Sequence, residues 1–105
     1  MLTQTGQYEK AKKVFQETLE LTPESAIVLN NLGNIDFLQG KFTEAITHYT
    51  QATVLDESDA QIHVNLCKSY MQLNEMTKAR EEFEKATALD SSISDIYQEL
   101  KKQIQ

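Results

Sequence analysis

The chain has 105 residues, enough for one domain, with 40% hydrophobic and 25% charged residues and a formal net charge of −6. That acidity is spread along the chain as on a solvated outer face. It excludes a general nucleic-acid binder, whose phosphate contacts need clustered Lys and Arg, and disfavours an anionic membrane surface. Cys67 is the only cysteine, so no intrachain disulfide can form, and a reducing compartment, the cytoplasm, is the default.

Three Gly and one Pro leave long segments unbroken, and their periodicity predicts helices at about 7–20, 24–38, 41–54, 58–72, 75–88 and 92–104. At the start, Met1 to Thr5 reads as the tail of a helix that ends at Gly6. The next helix carries Tyr8, Ala11, Phe15, Thr18 and Leu19 on one stripe and stops near Leu21, just ahead of Pro23. A shift of 34 residues then brings the pattern back twice. Gly6 falls on Gly40 and Asn74, Tyr8 on Phe42 and Met76, Ala11 on Ala45 and Ala79, and Phe15 on Tyr49 and Phe83. Leu21 falls on Leu55 and Leu89. Between these segments recur Val28, Ile62 and Ile96; Leu32, Leu66 and Leu100; and Asn31 and Asn65. The alanines suit a close helix approach, and the aromatics fill the wider gap one turn later. Gly40 and Asn74 suit the left-handed backbone of a helix C-terminus. Turns this short make neighbouring helices antiparallel hairpins. The last helix aligns Ile93, Ile96, Tyr97, Leu100 and Ile104 as one apolar stripe, with Asp95, Gln98, Glu99, Lys101, Lys102 and Gln105 around it. It reads as an amphipathic lid.

Leu29, Leu32, Gly33, Gly40, Phe42, Ala45, Tyr49, Ala52 and Leu55, repeated by Tyr70, Ala79, Phe83 and Ala86, resemble a tetratricopeptide repeat. The resemblance implies an all-α chain of antiparallel hairpins stacked as a short right-handed α-solenoid. A partial repeat would occupy 1–25, full repeats 26–59 and 60–93, and a capping helix 94–105. The pattern departs from the family in places. Leu29, His63 and Tyr97 stand where a bulky aromatic is usual, and Asp36 stands where Tyr70 keeps the family tyrosine. The family's proline is kept only as Pro23, with Glu57 and Ser91 at its other two places. An acid at a packed position must reach solvent or a lysine.

No catalytic constellation emerges. His63 reads as a satisfied core histidine, His48 as a surface residue, and Cys67 as a small buried thiol at a tight helix contact. There is no Cys/His metal spacing and no glycine-rich phosphate loop, so no cofactor, metal or enzymatic activity is expected. Glu81 and Glu82 point to different sides of a helix and read as solvated surface.

In the resembled family, the first helix of each hairpin lines a concave groove that holds extended peptides. Here that implies a stripe of Ile27, Asn30, Asn31, Asn34, Phe37 and Leu38, opposite a core stripe of Val28, Leu32 and Ile35. Its counterpart is Gln61, Val64, Asn65, Lys68, Met71 and Gln72. The stripe is rich in amides, which offer a donor and an acceptor to any peptide backbone. Asn31 and Asn65 recur at one site, like the asparagine ladder of some family members. The carboxylate clamp of a subfamily that binds acidic chaperone C-termini is not expected. Asn34 and Asn65 match its asparagines, but Asn30 replaces a lysine, and Asp95 and Glu99 replace its last basic pair.

The expected function is a protein–protein interaction scaffold that binds a peptide or partner protein, as a piece of a longer chain. The alternatives are a self-assembly module, forming a homodimer through the N-terminal helix, and a noncatalytic targeting segment of a larger enzyme. No nucleic-acid partner and no membrane insertion are expected. There is no apolar run of membrane length and no leader pattern.

Overall fold

The computed structural model describes residues 2–104, with side chains from residue 6 onward. Among these residues seven helices follow one another: α1 (Leu2–Leu21), α2 (Ala26–Leu38), α3 (Phe42–Leu55), α4 (Ala60–Gln72), α5 (Met76–Leu89), α6 (Ser92–Ile96) and α7 (Gln98–Ile104). No strand occurs among the described residues. Helices α2 and α3 form one antiparallel hairpin and α4 and α5 the next; α3 packs on α4, so the hairpins stack.

Local chemistry sets the boundaries. The Ser25 hydroxyl accepts the Val28 N–H at 3.2 Å, and the Asp59 carboxylate accepts the Gln61 N–H at 3.0 Å, so α2 and α4 each begin on a side-chain cap. The hairpin turns need one residue with positive φ. Gly40 takes φ 77° and Asn74 φ 60°, the two residue types that tolerate this backbone best. Hydrogen bonds from Lys41 N to the Asp36 carbonyl (2.8 Å) and from Glu75 N to the Tyr70 carbonyl (2.9 Å) close the two turns alike.

The core lies in two layers. Leu29, Ala45, Tyr49, Ala52, Ile62 and Leu66 form the first; Val64, Cys67, Ala79, Phe83, Ala86, Ile93 and Ile104 form the second. The recurring alanines Ala45 and Ala79 are fully buried, as a close helix approach requires. In α1 no described side chain is fully buried.

Three expectations fail. Gly6 does not end a helix: α1 runs through it. A glycine inside a helix costs only ~1 kcal/mol relative to alanine. Apart from its own helix, no described atom lies within 4 Å of where its Cβ would stand, so no packed neighbour among the described residues calls for a reversal there. The C-terminal lid is not one helix. It breaks at Tyr97 (φ −111°, ψ 45°), which lets Ile93 and Ile104 both bury against the second layer while Ile96 turns out to solvent, 66% exposed. Arg80 Nε donates to the Ile104 carbonyl at 2.9 Å and anchors the end of α7. Finally, Val28 is only half-buried, and Leu29 takes the core contact in its place.

Candidate functional site

Helices α2 and α4 lie side by side and bring most of the predicted stripe together. A cleft of ≈340 Å³ is lined by Asn34, Phe37 and Leu38 from α2, Asn65 and Lys68 from α4, and Tyr49 from α3. Asn30, Asn31, Asn34 and Phe37 are half-buried and Leu38 is exposed; Asn65, Lys68 and Met71 are half-buried, and Gln61 and Gln72 are exposed. Val64 is the correction. It is completely buried in the second core layer with Ile93 and Ile104, so it offers nothing to a ligand. Met71 also packs partly against that layer.

The amides are already engaged with one another. Asn65 Nδ2 donates to Asn30 Oδ1 at 3.0 Å, tying α4 to α2, and Asn65 Oδ1 accepts from Gln61 Nε2 at 3.2 Å. Tyr97 OH donates to Gln61 Oε1 at 3.1 Å, which links the C-terminal segment into the row. Lys68 Nζ lies 5.1 Å from the centre of the Tyr97 ring, a cation–π contact at the edge of the cleft. Asn31 makes no side-chain hydrogen bond among the described residues, although it is the 34-residue counterpart of Asn65. Within the stripe, Asn31 therefore has its full hydrogen-bonding capacity unspent and Asn65 keeps about half, one N–H and one lone pair.

Tyr49 is the lining residue that repeat-reading assigns only to the core. Its ring is buried, but its hydroxyl donates to Asn34 Oδ1 at 2.6 Å and so fixes that amide at the cleft. The signal is the hydroxyl itself. Phe15 and Phe83 occupy the equivalent positions, and a phenol set into a core needs a polar partner. Burial holds the Tyr49 phenol well above its ordinary range, so it stays a donor. Phe37 is set edge-on to Phe42, with centroids 5.1 Å apart, which stiffens the apolar end of the cleft.

Asp36 is completely buried and finds two partners. Lys12 Nζ from α1 lies 2.8 Å from Oδ1, which has no other partner among the described residues, and His48 Nδ1 from α3 lies 2.5 Å from Oδ2. His48 is therefore a structural partner and not the plain surface residue expected. The hydrogen bond to Asp36 raises the Lys12 pKa. His63 is half-buried and bonds Glu82 at 2.7 Å, as a satisfied histidine should.

Cys67 is fully buried. Desolvation pushes its thiol up to about 11, so the thiolate needed for reaction is scarce at neutral pH. Iodoacetamide at neutral pH should leave the folded chain unmodified by mass, and the same treatment in urea should add one carbamidomethyl group. Rapid labelling of the native chain would contradict the assigned packing.

Among the described residues, no group of three His, Cys, Asp or Glu side chains could hold a metal ion, and no helix is long and apolar enough to cross a membrane. What the geometry offers is two stacked hairpins with an amide-lined cleft across consecutive first helices. Residues 33–73 match the TPR repeat profile, and residues 1–25 and 60–93 match the tetratricopeptide repeat profile. The chain belongs to the tetratricopeptide-repeat family. Hsp70-Hsp90 organizing protein 1 of Glycine max is 32% identical over 93 residues, 89% of this chain; the chain spans only 16% of that protein's length. Among solved structures, the Yersinia enterocolitica type III secretion chaperone SycD, in complex with a peptide of the translocator YopD, aligns with TM-score 0.83 at 22% identity. That alignment covers 97% of this chain and 80% of SycD. The first TPR of Spaghetti (RPAP3), bound to the HSP90 peptide SRMEEVD, aligns with TM-score 0.82 at 16% identity, over 95% of this chain and 82% of that one. At these identities the structural likeness is one of fold, and it bears out the all-helical hairpin stack.

Proposed function

We propose that this tetratricopeptide-repeat chain is a noncatalytic interaction scaffold that holds an extended segment of a partner protein across α2 and α4. The observation that carries the reading is the cleft itself. Its apolar floor at Phe37 and Leu38 adjoins Asn34, Asn65 and Lys68 and runs across two consecutive repeats. Few polar groups beside an apolar surface are what orient a ligand. SycD and RPAP3, which share the fold, were each solved with a peptide bound. The departures from the carboxylate clamp argue for a ligand other than an acidic chaperone tail, because Asp95 and Glu99 are exposed acids where that clamp needs bases. A lone buried thiol suits the cytoplasm, where we place the scaffold.

The test starts from a partner captured on the immobilised chain and narrowed to the segment that binds. Asn31→Ala, one turn before Asn34 on the same stripe, and Leu38→Ser within the cleft should each weaken that segment's binding by roughly three- to tenfold, in line with ~0.5–1.5 kcal/mol per lost contact, while the melting temperature stays unchanged. Binding as tight as wild type in both variants sinks the assignment of the cleft.

A second mode rests on α1. No described side chain of α1 is fully buried, and Val14 is 58% exposed. Its apolar surface is worth ~25 cal/mol per Å² to whatever covers it. We propose that two copies pair through α1 at high concentration. Sedimentation over a concentration series should show a dimer that Val14→Glu abolishes; a monomer throughout would remove this mode.

A further inference from the structure

A second cleft, of ≈430 Å³, shares no residue with the first. It is lined by Leu19 of α1, Pro23 of the following turn, Leu29 of α2, and Gln51, Val54 and Leu55 of α3. Val54 is 71% exposed and Leu55 42%, although neither contact with solvent helps the fold.

The cleft is not a by-product of the repeat. Advancing by 34 residues turns these positions into Thr53, Glu57, His63, Lys85, Ala88 and Leu89. Only Leu89 keeps the apolar bulk, and His63 is engaged by Glu82 at 2.7 Å. A surface that packing alone required would look alike in both layers. Here one layer is apolar and the other is polar.

The surroundings specify what fits. Helices α1 and α3 both end at this cleft, and neither carries a basic residue in its last turn. Their terminal carbonyls add a partial negative charge, which the N-terminus of α2, starting at Ala26 just after Pro23, partly offsets. The segments 16–24 and 51–59 hold the exposed acids Glu17, Glu20, Glu24 and Glu57 and contain no Lys or Arg, whereas Asp56 and Asp59 are taken up by Ser58 and the Gln61 N–H. A second copy meeting this cleft with its own would set the same carboxylates against each other.

We propose that this cleft is a separate docking site for a partner segment that presents an apolar side chain flanked by Lys or Arg. The apolar side chain lies between Leu29 and Val54, and the flanking cations meet the exposed carboxylates of the flanking segments. The association is salt-sensitive, because much of its selectivity is electrostatic.

A synthetic helical peptide of leucine and lysine serves as the probe, titrated into the isotope-labelled chain at low ionic strength. Saturable shifts should concentrate on the methyl groups of Leu19, Leu29, Val54 and Leu55. Val54→Lys, at an exposed position that leaves the fold intact, should weaken binding about tenfold. Asn31→Ala, on the other face, should leave it unchanged, so the two sites fail or stand independently. A peptide with serine in place of leucine and a peptide with glutamate in place of lysine should both fail to bind the cleft. Three outcomes would overturn the proposal: shifts scattered over the acidic surface, shifts at Asn34 and Phe37 instead, or the same methyl shifts arising from the chain's own dilution series without peptide.

Discussion

Replacing Gly33 by alanine is expected to destabilise the chain by about 2 kcal/mol, although alanine is the better helix former by ~1 kcal/mol. Two effects compete, and packing wins. A Cβ at Gly33 would stand 2.5 Å from Tyr49 Cε1 and 2.6 Å from Cδ1. Tyr49 is only 2% exposed, and its hydroxyl is held by Asn34 at 2.6 Å, so the ring has nowhere to swing. Helices α2 and α3 must separate instead, and overpacking of this kind costs ~1–3 kcal/mol beyond the propensity gain. Gly6→Ala is the matched control. Its Cβ would meet nothing within 4 Å, so it should be neutral or stabilising by up to ~1 kcal/mol. Urea unfolding of both variants checks the pair. A stabilised Gly33→Ala would mean that α2 and α3 are not in contact through Tyr49. Because Tyr49 also positions Asn34, the Gly33 variant should lose partner binding along with stability.

Lys12→Met should cost about 3–5 kcal/mol, the largest effect expected of any surface-accessible residue here. Asp36 is fully buried, and among the described residues Lys12 is the one lysine or arginine at its carboxylate, with His48 on the other oxygen. Removing one partner leaves a carboxylate under-compensated away from water, which is far costlier than never having the pair. The double variant Lys12→Met with Asp36→Leu should therefore recover most of the loss, and a double-mutant cycle measures how much. If Lys12→Met alone proves neutral, the pair is not buried as described. The ion pair also ties α1 to the rest, together with bonds from Lys12 Nζ to Gln39 (3.3 Å) and from Gln39 to Glu9 (2.9 Å). Hydrogen exchange in α1 should thus accelerate first. The pH dependence has a definite sign. Lys12, Tyr49 and Cys67 all have raised pKa values, so their contributions are intact below their ordinary values and fall away as pH rises through the folded ones.

The period of 34 residues made the hairpins legible, because a period identifies equivalent positions and a few of those admit few residue types. Ala45 and Ala79 mark the close approach, and Gly40 and Asn74 mark positive φ. Equivalence does not say what covers a position. Asn30 and Val64 are one period apart, yet Asn30 is half-exposed beside Asn65 while Val64 disappears beneath Ile93 and Ile104. The residues read as one groove stripe thus divide between ligand surface and repeat-to-repeat contact. Gly6 misled for a related reason: a glycine permits a turn and does not compel one. The break at Tyr97 depends on two isoleucines burying at once, and the partners of Asp36 come from helices before and after it. Such long-range choices leave no local pattern. The acid at a packed position was legible as an oddity with solvent or a lysine open to it, and only the structure gives it Lys12 and His48.

The claim that matters most is that a partner segment lies across α2 and α4. Amide and methyl shifts of the isotope-labelled chain, followed as the bound segment of a captured partner is added, test it most directly. The account predicts saturable changes centred on Asn31, Asn34, Phe37, Leu38 and Lys68, with little change in α5. Saturable binding that leaves those residues unmoved and shifts α5 or α1 instead would contradict it.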